Sequence, residues 1–213
     1  ICPYKIDEDS FRLFSISEMS DQYPLALSYL EKNKVTLTQR EKGKFKGQNW
    51  YAFGYPKSMI LFKKPKIIVP DYNNIASFTY DSEGFFYKTG YGVLVSDEKL
   101  SPYYILGLLN SRLLFHRLLG IATTLRGGYV RFWTQYIDQL PIRNIDFGNA
   151  SDRSLHDNMV TLVQQALKLQ IRKSELPNGA DQEQVQRLIY STDKQIDDLV
   201  YELYGVTQEA IKI

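Results

Sequence analysis

Asp71, Asp97 and Lys99 are the residues of this sequence that come nearest to a catalytic pattern. Pro70-Asp71 followed by Asp97-Glu98-Lys99 has the order with which metal-dependent nucleases hold Mg²⁺ on two carboxylates and steady the attacking water with a lysine. That chemistry needs the second carboxylate and the lysine on a strand facing the metal. Here they lie in a polar stretch just before Ser101-Pro102, a typical helix start. The pattern therefore does not favour a nuclease, which we keep as an alternative.

A second motif is suited to recognition rather than to catalysis. Arg126-Gly127-Gly128-Tyr129-Val130-Arg131 places two arginines around a glycine pair. Glycines let a backbone approach a ligand closely, and guanidinium groups form paired hydrogen bonds with guanine or with phosphate. An ordinary glycine turn needs neither the arginines nor the tyrosine. We therefore predict that Arg126, Gly127, Gly128, Tyr129 and Arg131 contact DNA.

A third feature is a concentration of positive charge. Residues 31–66 hold ten Lys or Arg against two acidic residues, a net charge of +8 in a chain whose total is +2. Such a segment attracts a polyanion and predicts salt-dependent binding to nucleic acid. Aromatic residues interrupt it, as they do in surfaces that contact phosphates and bases together. The residues that we predict to contact DNA here are Lys42, Lys44, Lys46, Trp50, Tyr51, Lys57, Lys64 and Lys66.

Composition excludes several classes of protein. The chain has 213 residues, of which 44% are hydrophobic and 14% aromatic, enough to build a real core. One cysteine and two histidines exclude an intrachain disulfide and a cysteine-clustered metal site. We expect no catalytic residue and no metal in this chain. We also expect a cytoplasmic protein, because no apolar run reaches the length of a membrane span and no signal peptide is visible. The start at Ile1 predicts a piece of something longer.

The elements that must position these residues follow from local patterns. Lys66–Val69, 76–80 and Phe85-Phe86-Tyr87 read as strands, the last two joined by a turn at 81–84, and predict a twisted β region over roughly 60–96. Ser101 and Pro102 then begin one or two buried helices, which are parted near Asn110-Ser111.

The composition changes after Gly148, where aromatic residues become rare. Two segments with heptad-like apolar spacing follow, and Pro177-Asn178-Gly179 separates them, which predicts an antiparallel helical hairpin ended by Gly205. The predicted fold class is α+β, with a twisted mixed β-sheet recognition module and covering helices over 1–148 and the hairpin over 149–213. The hairpin either covers the sheet or docks on another protein, so a scaffold module is a further alternative.

The order of short motifs along the chain resembles the TaqI-like C-terminal specificity domain of type II and type IIG restriction–modification methyltransferases. The motifs that carry this resemblance are Pro3-Tyr4-Lys5, Tyr23-Pro24 with Tyr29-Leu30, Leu37 to Arg40-Glu41, Trp50, Lys64-Pro65-Lys66-Ile67-Ile68, Tyr80-Asp81, Leu108-Leu109-Asn110-Ser111, Gly127-Gly128-Tyr129 with Arg131, Gln139-Leu140-Pro141-Ile142, Ile196-Asp197 and Val200-Tyr201-Glu202-Leu203-Tyr204-Gly205.

The resemblance implies a DNA target-recognition domain that follows an adenine-N6 methyltransferase domain in one polypeptide. Its partners would be double-stranded DNA and that upstream domain, with a nuclease domain in some relatives and no membrane. The Asn-Pro-Pro-Tyr loop that holds the flipped adenine in this family and the glycine loop for S-adenosylmethionine are both absent from these 213 residues. We therefore expect S-adenosylmethionine to bind upstream and no cofactor to bind here.

Overall fold

The computed structural model describes residues 1–207 and divides the chain into two compact units, Ile1–Lys64 and Pro65–Ile213. The predicted boundary at 148/149 falls within the second unit. Residues 208–213, the end of the predicted hairpin segment, lie outside the described residues. No helix in the described part is both long and apolar enough to cross a membrane.

The first unit is a small helical cluster beside a β-hairpin. Its elements in chain order are β1 (Tyr4–Ile6), β2 (Phe11–Leu13), α1 (Ile16–Gln22), α2 (Pro24–Lys32), α3 (Lys34–Gly43) and α4 (Met59–Phe62), and β1 pairs with β2 antiparallel. Ser15 and Glu18 form a capping box that begins α1, and Pro24 occupies the first turn of α2. Met19, Leu27 and Leu30 pack with two aromatic residues from the segment that follows α3.

The second unit combines small antiparallel sheets with helices. Its elements are β3 (Lys66–Val69), β4 (Tyr72–Asn73), β5 (Thr79–Asp81), β6 (Tyr91–Val93), α5 (Pro102–Asn110), α6 (Arg112–Leu119), β7 (Val130–Arg131), α7 (Thr134–Ile137), α8 (Ala150–Glu175) and α9 (Ala180–Leu203). β3 lies between β5 and β6, and β4 pairs with β7. The predicted α+β class is confirmed, although the described strands pair only antiparallel and in separate small sheets.

Helix α5 is the centre of this unit. Tyr104 to Leu109 are all buried, since α5 packs against β3 and β5 and also against α8. A helix that is apolar on every side must be covered on every side. Ser101 accepts a hydrogen bond from the Tyr103 amide at its start, and Ser111 caps α6, so the predicted break between two helices is confirmed.

The predicted helical hairpin is confirmed as well. α8 and α9 pack on each other, α8 also packs on α5, and α9 packs on α6. Met159 and Val163 of α8 and Val200 of α9 lie in the same hydrophobic core as β3. The apolar stripe of the hairpin is therefore buried inside this unit, which favours the covering role over the scaffold alternative.

One predicted strand is wrong. Phe85-Phe86-Tyr87 is irregular, and the strand that follows the turn at Asp81 begins only at Tyr91. That strand pairs with β3 rather than with β5. Asp81 explains the difference, because its carboxylate accepts hydrogen bonds from the amides of Glu83, Gly84 and Phe85 and so holds the chain in a loop.

Candidate nucleic-acid interface

The arginine–glycine motif forms the exposed tip of a hairpin on the second unit. The Leu125 amide donates to the Tyr129 carbonyl at 2.6 Å, and the Arg131 amide donates to the Thr123 carbonyl at 3.1 Å. Gly127 and Gly128 both have left-handed φ values, +81° and +78°, which favour glycine. The tip residues 126–129 are exposed. The structure therefore brings the predicted loop to the surface, on a short strand that is anchored at Val130.

Arg131 lies at the base of this loop among three partners. Its Nη1 donates to Asp71 Oδ2 at 3.0 Å, and its guanidinium carbon lies 5.7 Å from the ring centre of Tyr72 and 5.2 Å from that of Trp133. These partners come together because β7 pairs with β4, with Arg131 opposite Tyr72. The carboxylate and both rings restrict the guanidinium to few orientations.

Aromatic side chains extend the surface around the hairpin. Tyr72 and Trp133 are exposed. The rings of Tyr129 and Tyr72 meet edge-on with their centres 5.9 Å apart, and the rings of Trp133 and Tyr136 are stacked with their centres 6.2 Å apart. A hydrogen bond between the Thr123 and Tyr136 hydroxyls lowers the pKa of Tyr136 from its ordinary value. The surface thus presents donors together with ring faces and edges, the groups that read bases.

The basic segment of the first unit forms a second exposed surface. Glu41, Lys42 and Gly43 have left-handed φ values of +48°, +59° and +86°, so the last residues of α3 are not regular helix. They begin a turn over residues 41–46, the lysine turn, on which Lys42, Lys44 and Lys46 are exposed. Lys44 makes an exposed ion pair with Glu41 at 3.5 Å, whereas Lys42 and Lys46 form no ion pair among the described residues. These three lysines match the prediction of an exposed cationic surface.

Arg40 organises this turn from within. Its guanidinium donates to the carbonyls of Leu37, Trp50 and Ala52 at 2.9, 3.0 and 2.9 Å and lies 4.5 Å from the ring centre of Phe45. The same arginine therefore holds both ends of the lysine turn. A shallow cavity of about 370 Å³ beside it is lined by Lys44, Phe45, Lys46, Gln48, Asn49 and Ala52.

Burial argues against the predicted DNA contacts of Trp50, Tyr51 and Lys66. Trp50 and Tyr51 are 4% and 6% exposed and belong to the core of the first unit. Lys66 is 3% exposed, and its Nζ donates to Asp81 Oδ2 at 2.5 Å. Side chains at this depth offer no surface to DNA without local unfolding.

The remaining predicted lysines lie on the surface. Lys57 is exposed and lies 4.6 Å from the ring centre of Tyr55, which is itself 74% exposed. Lys64 is exposed at the end of the first unit. Both agree with a cationic surface, and their contact with DNA stays a prediction.

The nuclease pattern is not assembled into a metal site. Asp71 is paired with Arg131, and Asp97 Oδ1 accepts a hydrogen bond from the backbone amide of Lys99 in a turn. No group of three His, Cys, Asp or Glu side chains with metal-site geometry occurs among residues 1–207. Of the three residues in the pattern, Asp71 is the one that contributes to the surface around Arg131, through its ion pair with that residue.

Sequence reasoning did not identify Tyr72, Trp133 and Tyr136 as members of this surface. The alternation of Arg131, Phe132 and Trp133 was a usable signal, since Phe132 is fully buried and its two neighbours must then face the opposite side. No local signal connects Asp71 to Arg131, which is 60 residues away.

Comparison with known proteins identifies a family and several relatives of this chain. The sequence profile of the family described as TaqI-like C-terminal specificity domain matches residues 14–142. Similar proteins include the type II methyltransferase M.BanIII of Aneurinibacillus aneurinilyticus, 30% identical over 128 residues, which are 58% of this chain and 22% of the relative. The type II restriction enzyme and methyltransferase RM.Eco57I of Escherichia coli is 26% identical over 219 aligned positions, 97% of this chain and 22% of the relative.

A third relative, the type II methyltransferase M.XhoI of Xanthomonas vasicola, is 25% identical over 120 residues, 56% of this chain and 22% of its own length. The chain thus spans about a fifth of the length of the curated relatives that it matches. The predicted resemblance is confirmed, because the family profile matches more than half of the sequence. This chain belongs to the family of TaqI-like C-terminal specificity domains.

Proposed function

We propose that this chain recognises a specific sequence in duplex DNA. The observation that carries the proposal is the exposed hairpin tip at Arg126–Tyr129 with Arg131 fixed at its base, in a chain that belongs to a specificity-domain family. Base edges are read by side chains whose donors are held in place, and a two-stranded β-ribbon fits the major groove. The glycines let the backbone at the tip approach the DNA closely.

The lysine turn supplies affinity in this proposal. Lys42, Lys44 and Lys46 are exposed cations, and cations that contact phosphates release counterions from the DNA. The logarithm of the binding constant then falls with the logarithm of salt concentration, by a slope of about 0.9 for each phosphate contacted. This contribution is independent of DNA sequence.

The main experiment is selection of bound duplexes from a randomised pool, followed by sequencing, at two salt concentrations. Enrichment of one short motif with an affinity that falls steeply with salt supports the proposal. Salt-dependent binding without enrichment contradicts sequence recognition by this chain alone. Absence of binding at both salt concentrations removes the proposal and brings the protein-docking alternative forward.

A triple charge reversal tests the lysine turn. Lys42→Glu/Lys44→Glu/Lys46→Glu should abolish DNA binding at physiological salt, because three phosphate contacts become three repulsions. The matched control reverses Lys88, Lys99 and Lys168, which are also exposed, and so makes the same change in net charge. Equal loss of binding in both variants would show that total charge, and not this turn, determines affinity.

We further propose that the whole protein is a cytoplasmic type II restriction–modification methyltransferase that modifies adenine at N6. The upstream part of the polypeptide would bind S-adenosylmethionine and carry the catalytic loop, and this chain would bring one adenine of the target to it, where base flipping exposes the amino group. The names of M.BanIII, RM.Eco57I and M.XhoI support the methyltransferase class, and RM.Eco57I also supports a fused nuclease. Incubation of the whole protein with target DNA and S-adenosylmethionine, followed by mass analysis of the nucleosides, tests for N6-methyladenine.

A further inference from the structure

Arg131 differs from the exposed lysines of the predicted interface because its ion pair is half-buried, whereas the pair of Lys44 with Glu41 is mostly exposed. It pairs with Asp71 at 3.0 Å, and the two side chains are 30% and 34% exposed. Neither is buried, so the pair remains open to a ligand. Phe132 donates its backbone amide to the Asp71 carbonyl at 3.0 Å, which fixes the two backbones relative to each other. The ion pair therefore occupies a defined place on the surface.

The neutrality of this pair decides which ligand it suits. A phosphate is attracted mainly by net positive charge, and the Asp71 carboxylate both cancels that charge and repels the phosphate. A base edge carries no net charge and is recognised through the direction of individual hydrogen bonds. A guanidinium that is oriented but electrically compensated is therefore better suited to a base than to the backbone.

The hydrogen bonds of Arg131 leave it able to form more. Nη1 donates to Asp71, and within residues 1–207 neither Nη2 nor Nε forms a hydrogen bond. The rings of Tyr72 and Trp133 lie 5.7 and 5.2 Å from the guanidinium carbon and limit its rotation. Two adjacent donors in a fixed plane match two adjacent acceptors, and in the major groove guanine presents O6 and N7 in that way.

We propose that Arg131 determines specificity for one guanine of the target and that Asp71 is a positioning residue that orients it. This inference rests on the proposed function of sequence-specific duplex binding. The alternative is a structural role in which the ion pair only ties β4 to β7.

The test is the same selection from a randomised duplex pool, performed with this chain and two variants. Arg131→Lys keeps the positive charge but replaces two planar donors by a single ammonium group. We expect the preference for guanine at one position of the motif to fall by about tenfold to a hundredfold, with the other positions and the salt slope unchanged.

Asp71→Asn provides the second variant, because it keeps the size of the side chain and removes its charge. The preference at the same guanine should fall by severalfold, while non-specific affinity rises and the salt slope becomes steeper by about one, since the charge of Arg131 is now unmatched. A merely structural ion pair would not shift the same single base position in two variants, whereas the rise in non-specific affinity follows from the lost negative charge under either role.

The outcomes separate the two proposals. If the unmodified chain enriches a motif and Arg131→Lys leaves every position of it unchanged, the inference is overturned while the proposed function stands. A loss of affinity in Arg131→Lys that is uniform across all sequences, with no single base position affected, also overturns it, since phosphate contacts carry no sequence information. If the unmodified chain enriches no motif, the proposed function fails and this inference fails with it. Thermal unfolding of each variant shows whether its fold is retained.

Discussion

Replacement of Lys66 by methionine should destabilise the second unit, and by an amount that depends on pH. Lys66 and Asp81 have side chains that are each 2% exposed, and their Nζ and Oδ2 atoms lie 2.5 Å apart. Removal of one partner from a buried ion pair costs about 3–5 kcal/mol, because the other charge stays buried without compensation. Three backbone amides still donate to Asp81, so we expect the lower end, about 3 kcal/mol.

The pH dependence follows from the pKa of Asp81. Burial raises this pKa, but the hydrogen bond from Lys66 and those from backbone amides outweigh it, so the pKa in the folded chain lies below its ordinary value. The carboxylate therefore contributes stability that is present above pH of about 4 and is lost as the pH falls through the folded pKa. Without Lys66 we expect the pKa to rise above the ordinary value, because burial is the largest single influence on it. Protonation then stabilises the variant, so its deficit should shrink between pH 7 and pH 4.

Urea unfolding of both proteins at several pH values, or the midpoint of thermal unfolding, measures this deficit. About 3 kcal/mol corresponds to a fall in the midpoint of about 6–12 °C at pH 7. Lys63→Met, at an exposed neighbouring position, is the control and should stay within about 0.5 kcal/mol. The double variant Lys66→Met/Asp81→Asn should recover part of the loss, since no charge remains buried.

A deficit below about 1 kcal/mol, or one that is the same at pH 4 and pH 7, would refute this account of the pair. So would a double variant less stable than Lys66→Met. The Lys66→Met variant also tests whether Lys66 contacts DNA. If the lysine is buried as described, DNA binding by the folded variant should be unchanged.

Three further substitutions test the packing that supports the two surfaces. Gly107→Ala should cost about 1–3 kcal/mol in urea unfolding, because a Cβ there would lie 2.5 Å from the sulfur of Met159 in the α5–α8 contact. His156→Phe fills the same space but removes the Nε2 that accepts from the Ser101 amide at 3.1 Å, and thermal unfolding should show a loss of about 1–2 kcal/mol. Arg40→Lys cannot serve three carbonyls at once, so trypsin should cut the lysine turn severalfold faster, whereas equal cleavage rates would contradict the anchoring role.

Local signals predicted the helical part of the second unit well. The pairs Ser101-Pro102 and Asn110-Ser111 act through hydrogen bonds within one turn of the chain, so their consequences can be read from neighbours in sequence. The heptad spacing that predicted α8 and α9 can likewise be read from residues three and four positions apart. The glycine loop was also predictable, because two consecutive glycines favour left-handed backbone conformations and exposure.

Non-local pairing was beyond the reach of sequence reasoning. In the sequence, Lys66 looks like one more lysine of a cationic surface. Its burial becomes clear only from the structure, where the strand register places it opposite Asp81. Trp50 is similar, since its place in the core depends on contacts with helices 20 or more residues earlier. Asp71 was assigned to a nuclease pattern on the basis of spacing, whereas its partner, Arg131, is 60 residues away.

The two kinds of cation on this chain suggest a division between affinity and specificity. The lysines of the turn at 42–46 are exposed on flexible stems, so their attraction to phosphate depends on charge and salt and little on direction. Arg131 has the opposite character, because its ion pair with Asp71 is half-buried and its plane is held by two rings. A chain built this way can lose sequence preference without losing affinity, or affinity without losing preference. The lysines of the first unit should therefore change mainly the salt slope and Arg131 mainly the base preference, whereas Asp71→Asn should change both, because it leaves the charge of Arg131 unmatched.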